Sequence, residues 1–365
     1  MTALRSRLTD WTVAVPLLAV LVLTLTWNRK LAGPLVLVVA VLLAGAVLAA
    51  VHHAEVVAHK VGEPYGSLVL AVAVTVIEVA LIVTLMISGG EQAQSLARDT
   101  VFAAVMITCN GILGLSLLLG ALRRRVAVFN SEGTGGALAT VATLAVLSLV
   151  VPNFTTSRPG PQFSPAQLAF AAVASLALYG LFVMVQTGRH RDYFLPVTAD
   201  RRPVDADGHA EPPSTRTALL SLGLLLVALV AVVGDAKTVS PTIEAVVARV
   251  NLPQSFVGVV IALLVLLPET LAATRAARRD RVQISLNLAL GSAMASIGLT
   301  IPAIALASIW LEGPLLLGLG GTQMTLLALT VVTGVLTVVP GRATVLQGGV
   351  HLVLLAAFVF LAASP

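Results

Sequence analysis

Almost the whole chain is built of apolar runs about as long as a bilayer crossing, separated by short polar breaks. Eleven such runs stand out, at roughly 11–27, 32–51, 65–88, 100–121, 136–153, 165–187, 217–234, 254–273, 284–310, 314–338 and 344–362. A helix spans the hydrocarbon core in roughly 20 apolar residues. Only helices and closed barrels satisfy their backbone groups in lipid, and no run shows the ~10-residue alternation of a barrel strand. The pattern predicts an all-α, polytopic membrane protein of about eleven transmembrane helices.

Polar residues recur at helical spacing inside these runs. Ser67, Ala71, Thr75 and Glu78 share one face of the third, and Gly258, Ala262, Glu269 and Ala273 share one face of the eighth. A stripe of small and polar residues on an apolar helix faces protein or water rather than lipid. The two glutamates stand alone in their runs, and a carboxylate at membrane depth costs a few kcal/mol or more, so it is retained for a task. Pro268 directly precedes Glu269. Its missing N–H leaves the carbonyl of Leu264 without a donor and its ring kinks the helix, so a backbone ligand is expected beside the acid.

Composition agrees with the pattern: 58% of the 365 residues are hydrophobic and 11% charged, with mean hydropathy +0.99, against about a quarter charged in a soluble domain. The pI near 10 does not point to nucleic acid, because the basic residues sit in short loops between spans, where they act as topology signals. With the N-terminus placed in the cytoplasm, sixteen Lys/Arg fall in inner segments and six in outer ones. That bias predicts a cytoplasmic N-terminus and an external C-terminus. The basic, apolar start at Arg5 and Arg7 resembles a signal peptide, but no small-residue cleavage site follows, so a retained first helix is expected. Cys109 is the one cysteine and, set in an apolar run, reads as inert packing.

The longest hydrophilic stretch, 188–216, carries four prolines and reads as a cytoplasmic linker. Its Asp205-Ala206-Asp207-Gly208 lacks the later ligands of a calcium loop. The expected plan is residues 1–31 as a leading segment and first helix, 32–187 as a five-helix repeat, the linker, and 217–365 as a second five-helix repeat. An odd number of spans per half inserts the halves in opposite orientation, as in many secondary transporters. Glu78 and Glu269 each fall in the second span of their half.

The next run of each half is also polar. Ser285, Ser292, Ser296 and Thr300 share a face of the ninth run, beside Asn287, Gly291 and Gly298, while Thr108, Asn110, Gly111 and Gly114 cluster in the fourth. Carboxylate, hydroxyl, amide and carbonyl oxygens suit hard cations such as Ca²⁺, Mg²⁺ or Na⁺, and no Cys/His set at depth suits zinc or copper. Simple explanations compete. A buried Glu can be protonated and bonded to a neighbouring helix, and Ser292 and Ser296 can serve close packing. Glu63, before the third run, suits a helix N-terminus or collects cations at the cytoplasmic mouth. His52, His53 and His59 are expected in the same short loop, exposed or gating the entrance. No phosphate-binding Gly-Lys-Ser/Thr motif is present, so a pump driven by nucleotide hydrolysis is not expected.

Gly62–Ile82, GEPYGSLVLAVAVTVIEVALI, and Leu267–Ala303, LPETLAATRAARRDRVQISLNLALGSAMASIGLTIPA, resemble the bacterial calcium/proton antiporters of the ChaA type, in the cation/calcium exchanger superfamily. The resemblance implies that Glu78 and Glu269 are paired acids binding cation and protons in alternation, with Asn110, Ser292 and Ser296 near the site. It implies Ca²⁺/H⁺ exchange, with Na⁺/H⁺ and K⁺/H⁺ exchange among bacterial relatives, and no cofactor. Where many exchangers place Gly-Asn before each acid, this chain has Val74-Thr75 and Val265-Leu266. Thr75 keeps one oxygen and Leu266 none, which weakens calcium coordination and leaves Na⁺ or K⁺ exchange at the same site as the alternative. A passive cation channel with the acids as a selectivity ring is the second expectation. An intramembrane enzyme is not expected, since no nucleophile–base pair lies at depth.

Overall fold

The computed structural model describes residues 10–27, 29, 33–62, 65–89, 94–197, 212–250, 252–253, 255–310 and 313–365. Glu63, on which a role at the mouth was expected, and residues 198–211 of the linker lie outside them. Among the described residues the regular structure is helical but for one two-residue strand pair: nine helices are long and apolar enough to cross a membrane, ten with one bent pair counted as a single span.

The chain divides into two compact units that do not follow its order. Residues 1–93 and 210–257 form one, and residues 94–209 and 258–365 the other. The first unit holds α1 (Trp11–Thr26), α2 (Gly33–Val61), α3 (Tyr65–Gly89) and α8 (Thr215–Arg249). The helix α1 has 16 residues, short of a full span, and is N-capped by Asp10. Both α1 and α3 pack on α2 and on α8, and α2 packs on α8. Small residues allow the close approach: a Cβ at Gly45 would stand 2.7 Å from a methyl of Val15, and one at Gly234 would overlap Leu23.

Two expectations are corrected here. The second run extends to Val61, so His52, His53 and His59 lie on α2 and not in a loop. His53 is buried, and its Nε2 meets the Thr12 carbonyl oxygen at 2.9 Å. The seventh run, expected to end at 234, continues as helix to Arg249 despite Pro241. Its 35 residues make a rod of about 50 Å at 1.5 Å per residue, far longer than the hydrocarbon core. Sequence reading stopped at Asp235 because a charge normally ends a span. Here the helix carries the charge inside.

The second unit begins with α4 (Leu96–Met106), a π-helical segment (Ile107–Ile112) and α5 (Leu113–Arg124), one continuous span. Then come α6 (Ser131–Ala145), α7 (Pro165–Met184), α9 (Phe256–Val265), α10 (Leu267–Arg278), α11 (Val282–Ala307), α12 (Gly321–Val338) and α13 (Val345–Ala363). The first two residues of α9 fall in the other unit. Local sequence explains the starts. Asn130 caps α6 by accepting from Glu132 N at 2.9 Å. Ser164 and Gln167 form a capping box at α7 with Pro165 in its first turn, and Thr344 and Gln347 form one at α13.

At the centre of this unit α11 packs on α4, the π segment, α5, α6, α7 and α10. It is buried on most faces, which its run of Ala, Gly and Ser permits. A two-residue antiparallel pair, Ala127–Val128 with Arg342–Ala343, ties the turn after α5 to the turn before α13. Between these turns α5 and α13 meet glycine to glycine: a Cβ at Gly348 would lie 2.7 Å from Leu118 N, while one at Gly349 would meet open space.

That contrast makes a prediction. Gly348→Ala should destabilise the detergent-solubilised protein by about 1–3 kcal/mol through overpacking. Gly349→Ala should be neutral or stabilising by up to about 1 kcal/mol, since Ala is the better helix former. Thermal unfolding of the two variants beside wild type checks both.

Candidate functional site

Glu78 lies midway along α3 on its buried stripe. It is 4% exposed, one helical turn from Thr75 at 6%, with Leu81, Ile82 and Leu85 continuing the stripe. Glu78 and Thr75 therefore share a face as their spacing required. Nothing is described of the Ser67 side chain. All of this belongs to the first unit.

Glu269 belongs to the second, where the sequence forces a break. The pair α9 and α10 bends by 54° at Leu266. Leu266 N still donates to Ala262 O at 2.9 Å, and Thr270 N donates to Leu266 O at 2.9 Å. Between them Pro268 has no N–H for the Leu264 carbonyl. The result is sharper than the kink expected from Pro268: two helices, with Pro268 and Glu269 both in the first turn of α10. An acid there is favoured by the helix dipole, and the half-buried Glu269 sits where the chain is broken.

The broken span is held from one side by hydroxyls. Ser285 Oγ on α11 donates to the Ala273 carbonyl at 2.8 Å, and it meets Ser116 Oγ on α5 at 2.5 Å. Ala273 lies one turn after Glu269 on α10, so this chain sets how α10 sits on α11. Ser292 and Ser296 are further along α11, half-buried and buried respectively. At the start of α11, Gln283 accepts from Asn130 N at 2.6 Å and donates to Asn287 Oδ1 at 2.8 Å, fixing α11 to the cap of α6.

Asn110 is fully buried in the π segment, which packs against α10, α11, α12 and α13. Its amide Nδ2 donates to Thr330 Oγ1 on α12 at 2.9 Å. Its Oδ1 meets His351 Nδ1 on α13 at 3.0 Å, and His351 Nε2 meets Thr337 Oγ1 at 3.2 Å. An amide oxygen only accepts, so Nδ1 carries the hydrogen, and in the neutral ring Nε2 accepts from Thr337. The Asn110 side chain is thus committed to α12 and α13. The π turn, a feature frequent at functional sites, opens the span at this point. Thr108 is turned onto its own helix, donating to Ala104 O at 2.7 Å.

Sequence reading missed two groups. His351 lay in a run with no other ionisable residue, and a lone histidine gave no spacing to read. Asp235 was excluded with the residues after 234. Among the described residues no three His, Cys, Asp or Glu side chains gather to hold a metal ion, so an ion held here would draw on hydroxyl, amide or carbonyl oxygens as well.

Removing His351 tests the network. His351→Ala strands the buried Asn110 oxygen and Thr337 hydroxyl, at about 1–3 kcal/mol for each buried group left without a partner. A clear fall in the thermal midpoint is expected, with His351→Gln, which keeps a donor, falling less.

With this geometry in hand, comparison with known proteins is informative. A model of the sodium/calcium exchanger protein family matches the chain twice, over residues 31–188 and 220–363. A Sinorhizobium fredii protein named as an ionic transporter, y4hA, is 46% identical over 362 residues, covering 97% of this chain and 96% of its own. The sodium-potassium/proton antiporter ChaA of Escherichia coli K12 is 34% identical over 360 residues, covering 98% and 97%. The structure of native YfkE, a Ca²⁺/H⁺ antiporter protein by name, matches with a TM-score of 0.72 at 16% identity, over 97% of this chain and 98% of that one. At that identity the likeness is one of fold.

Proposed function

The chain belongs to the sodium/calcium exchanger family, a family of membrane transporters and not of enzymes, and from that premise we propose that it is a secondary cation/proton antiporter that expels Ca²⁺. Glu78 and Glu269 would carry both ions. The observation that carries this reading is that each acid is the one charged residue of its apolar run, Glu78 on a buried face and Glu269 at a break in a span.

The exchange follows from carboxylate chemistry. Removal from water favours the protonated form, and a cation close by favours the ionised one. Proton and cation therefore compete for the same oxygens, and each drives the other off. Thr75, Ser292 and Ser296 would supply hydroxyl oxygens, and the break at Pro268 a backbone carbonyl. Asn110, bound to Thr330 and His351, would act by holding the π segment in place. Glu63 would collect cations at the cytoplasmic mouth. The two five-helix stretches, 32–187 and 217–365, would be inverted repeats about the linker 188–216, rocking to expose the site on alternate sides. The chain would lie in a bacterial inner membrane with its N-terminus in the cytoplasm.

A second reading, Na⁺ or K⁺ against protons at the same acids, has its own support. Leu266 stands where many exchangers carry an asparagine, and calcium takes six to eight oxygens. The 34%-identical relative is named a sodium-potassium/proton antiporter.

The test is cation-induced collapse of a proton gradient in inside-out vesicles, comparing Ca²⁺, Na⁺ and K⁺. Wild type should respond to Ca²⁺ with saturating, gradient-dependent flux. Glu78→Gln and Glu269→Gln should each lose the response at least about a hundredfold, as expected when one of two carboxylates that bind a desolvated cation becomes neutral. A response to Na⁺ or K⁺ alone selects the second reading. Variants as active as wild type would sink both readings.

A further inference from the structure

The mechanism above leaves one deep acid unused. Asp235 on α8 is fully buried, and neither Oδ1 nor Oδ2 has a hydrogen-bond partner among the described residues. Hydroxyls in the same helix behave differently: Thr238 Oγ1 bonds back to Gly234 O at 2.9 Å. The neighbours of Asp235 on α8 pack on apolar side chains. Leu23 presses against the Gly234 backbone, and Val239 clusters with Val36 and Val39 of α2, against which Val22 and Ala40 pack.

No described cation answers the acid. Lys237, two residues on, is directed at the Trp27 ring, with its Nζ 5.5 Å from the ring centroid. On α1 no charged side chain follows Asp10. On α2 the titratable groups His52, His53, Glu55, His59 and Lys60 all lie beyond Ala50, in its last third. On α3 the titratable groups are Tyr65, at its first residue, and Glu78, and Arg216 and Arg249 stand at the ends of α8.

Contacts within the unit place the two acids by depth. Gly66 on α3 abuts Ala58 on α2, Gly45 on α2 abuts Val15 on α1, and Gly234 on α8 abuts Leu23 on α1. Counting about 1.5 Å per residue along these neighbours, Glu78 falls level with Ala46. Asp235 falls level with Leu37 to Ala40, about 10 Å nearer the end at which Trp27 and Lys237 lie. The helices bearing the acids, α3 and α8, are packed together.

We propose that Asp235 is a second exchangeable proton site in this unit, one from which a hard cation displaces the proton, lying between the level of Glu78 and the Trp27 end of the bundle. A buried carboxyl without a hydrogen-bond partner holds its proton, and it ionises only when a cation arrives to replace it. A purely structural position would be filled at lower cost by Ala, Ser or Asn. The site rests on the antiport reading for its use in transport, but its existence is testable separately.

Purified full-length protein, wild type and Glu78→Gln/Glu269→Gln, would be treated with dicyclohexylcarbodiimide, which attacks protonated carboxyls in apolar surroundings, and the adducts located by mass spectrometry. Asp235 should be labelled in both. Labelling should slow severalfold as pH rises and severalfold again when Ca²⁺, Na⁺ or K⁺ is added. Labelling that no cation slows, or no adduct at Asp235, overturns the proposal. In vesicles, Asp235→Asn should retain exchange with a displaced pH profile, whereas a profile superimposable on wild type removes Asp235 from the proton path. If Glu78→Gln and Glu269→Gln keep wild-type exchange, the antiport reading through those acids falls, and the cation protection at Asp235 still decides this one.

Discussion

A polar group carried into hydrocarbon must find its partner inside the protein, because lipid offers none. Most of this structure follows from that constraint. Backbone groups are satisfied by helix formation, and hydroxyls are largely satisfied by bonding back to their own helix, as Thr26, Thr108 and Thr270 do. Larger polar side chains need other helices. Asn110 is met by α12 and α13, Gln283 by the cap of α6, and Ser285 by α5 and α10. These polar ties, rather than an apolar driving force that lipid cancels, give the second unit its specific arrangement around α11.

Three carboxyls stand out by their cost in such a setting. Glu78 and Asp235 are buried carboxyls in the first unit, and Glu269 stands at a broken helix in the second. Each is costly as a structural element, which is why the proposed exchange is built on them. The break at Leu266 and the π turn at Asn110 are irregular backbone inside apolar spans, which is tolerated only where protein or a cavity receives the freed groups.

Some of this was legible from residue spacing. Thr75 and Glu78 share a face because a helix repeats every 3.6 residues, and Pro268 disrupts its span because it lacks an N–H. Other features were not. His52, His53 and His59 look like loop residues because they are polar and clustered, yet α2 carries them in helix, with His53 tied to the Thr12 carbonyl of another helix. Asp235 looks like the end of a span, yet α8 continues for a further fourteen residues to Arg249. In both cases a local rule, that charge ends an apolar run, was overridden by packing against neighbouring helices.

The sequence by itself determined the all-helical, membrane-spanning character, the approximate spans and the isolation of Glu78 and Glu269, because hydropathy and helical period are properties of consecutive residues. Only the tertiary structure decided which polar groups are answered. Asn110 finds its partners at Thr330 and His351, 220 and 241 residues away, while Asp235 finds none among the described residues. Partnership at such separations depends on which helices pack together, and no local pattern of residues records that.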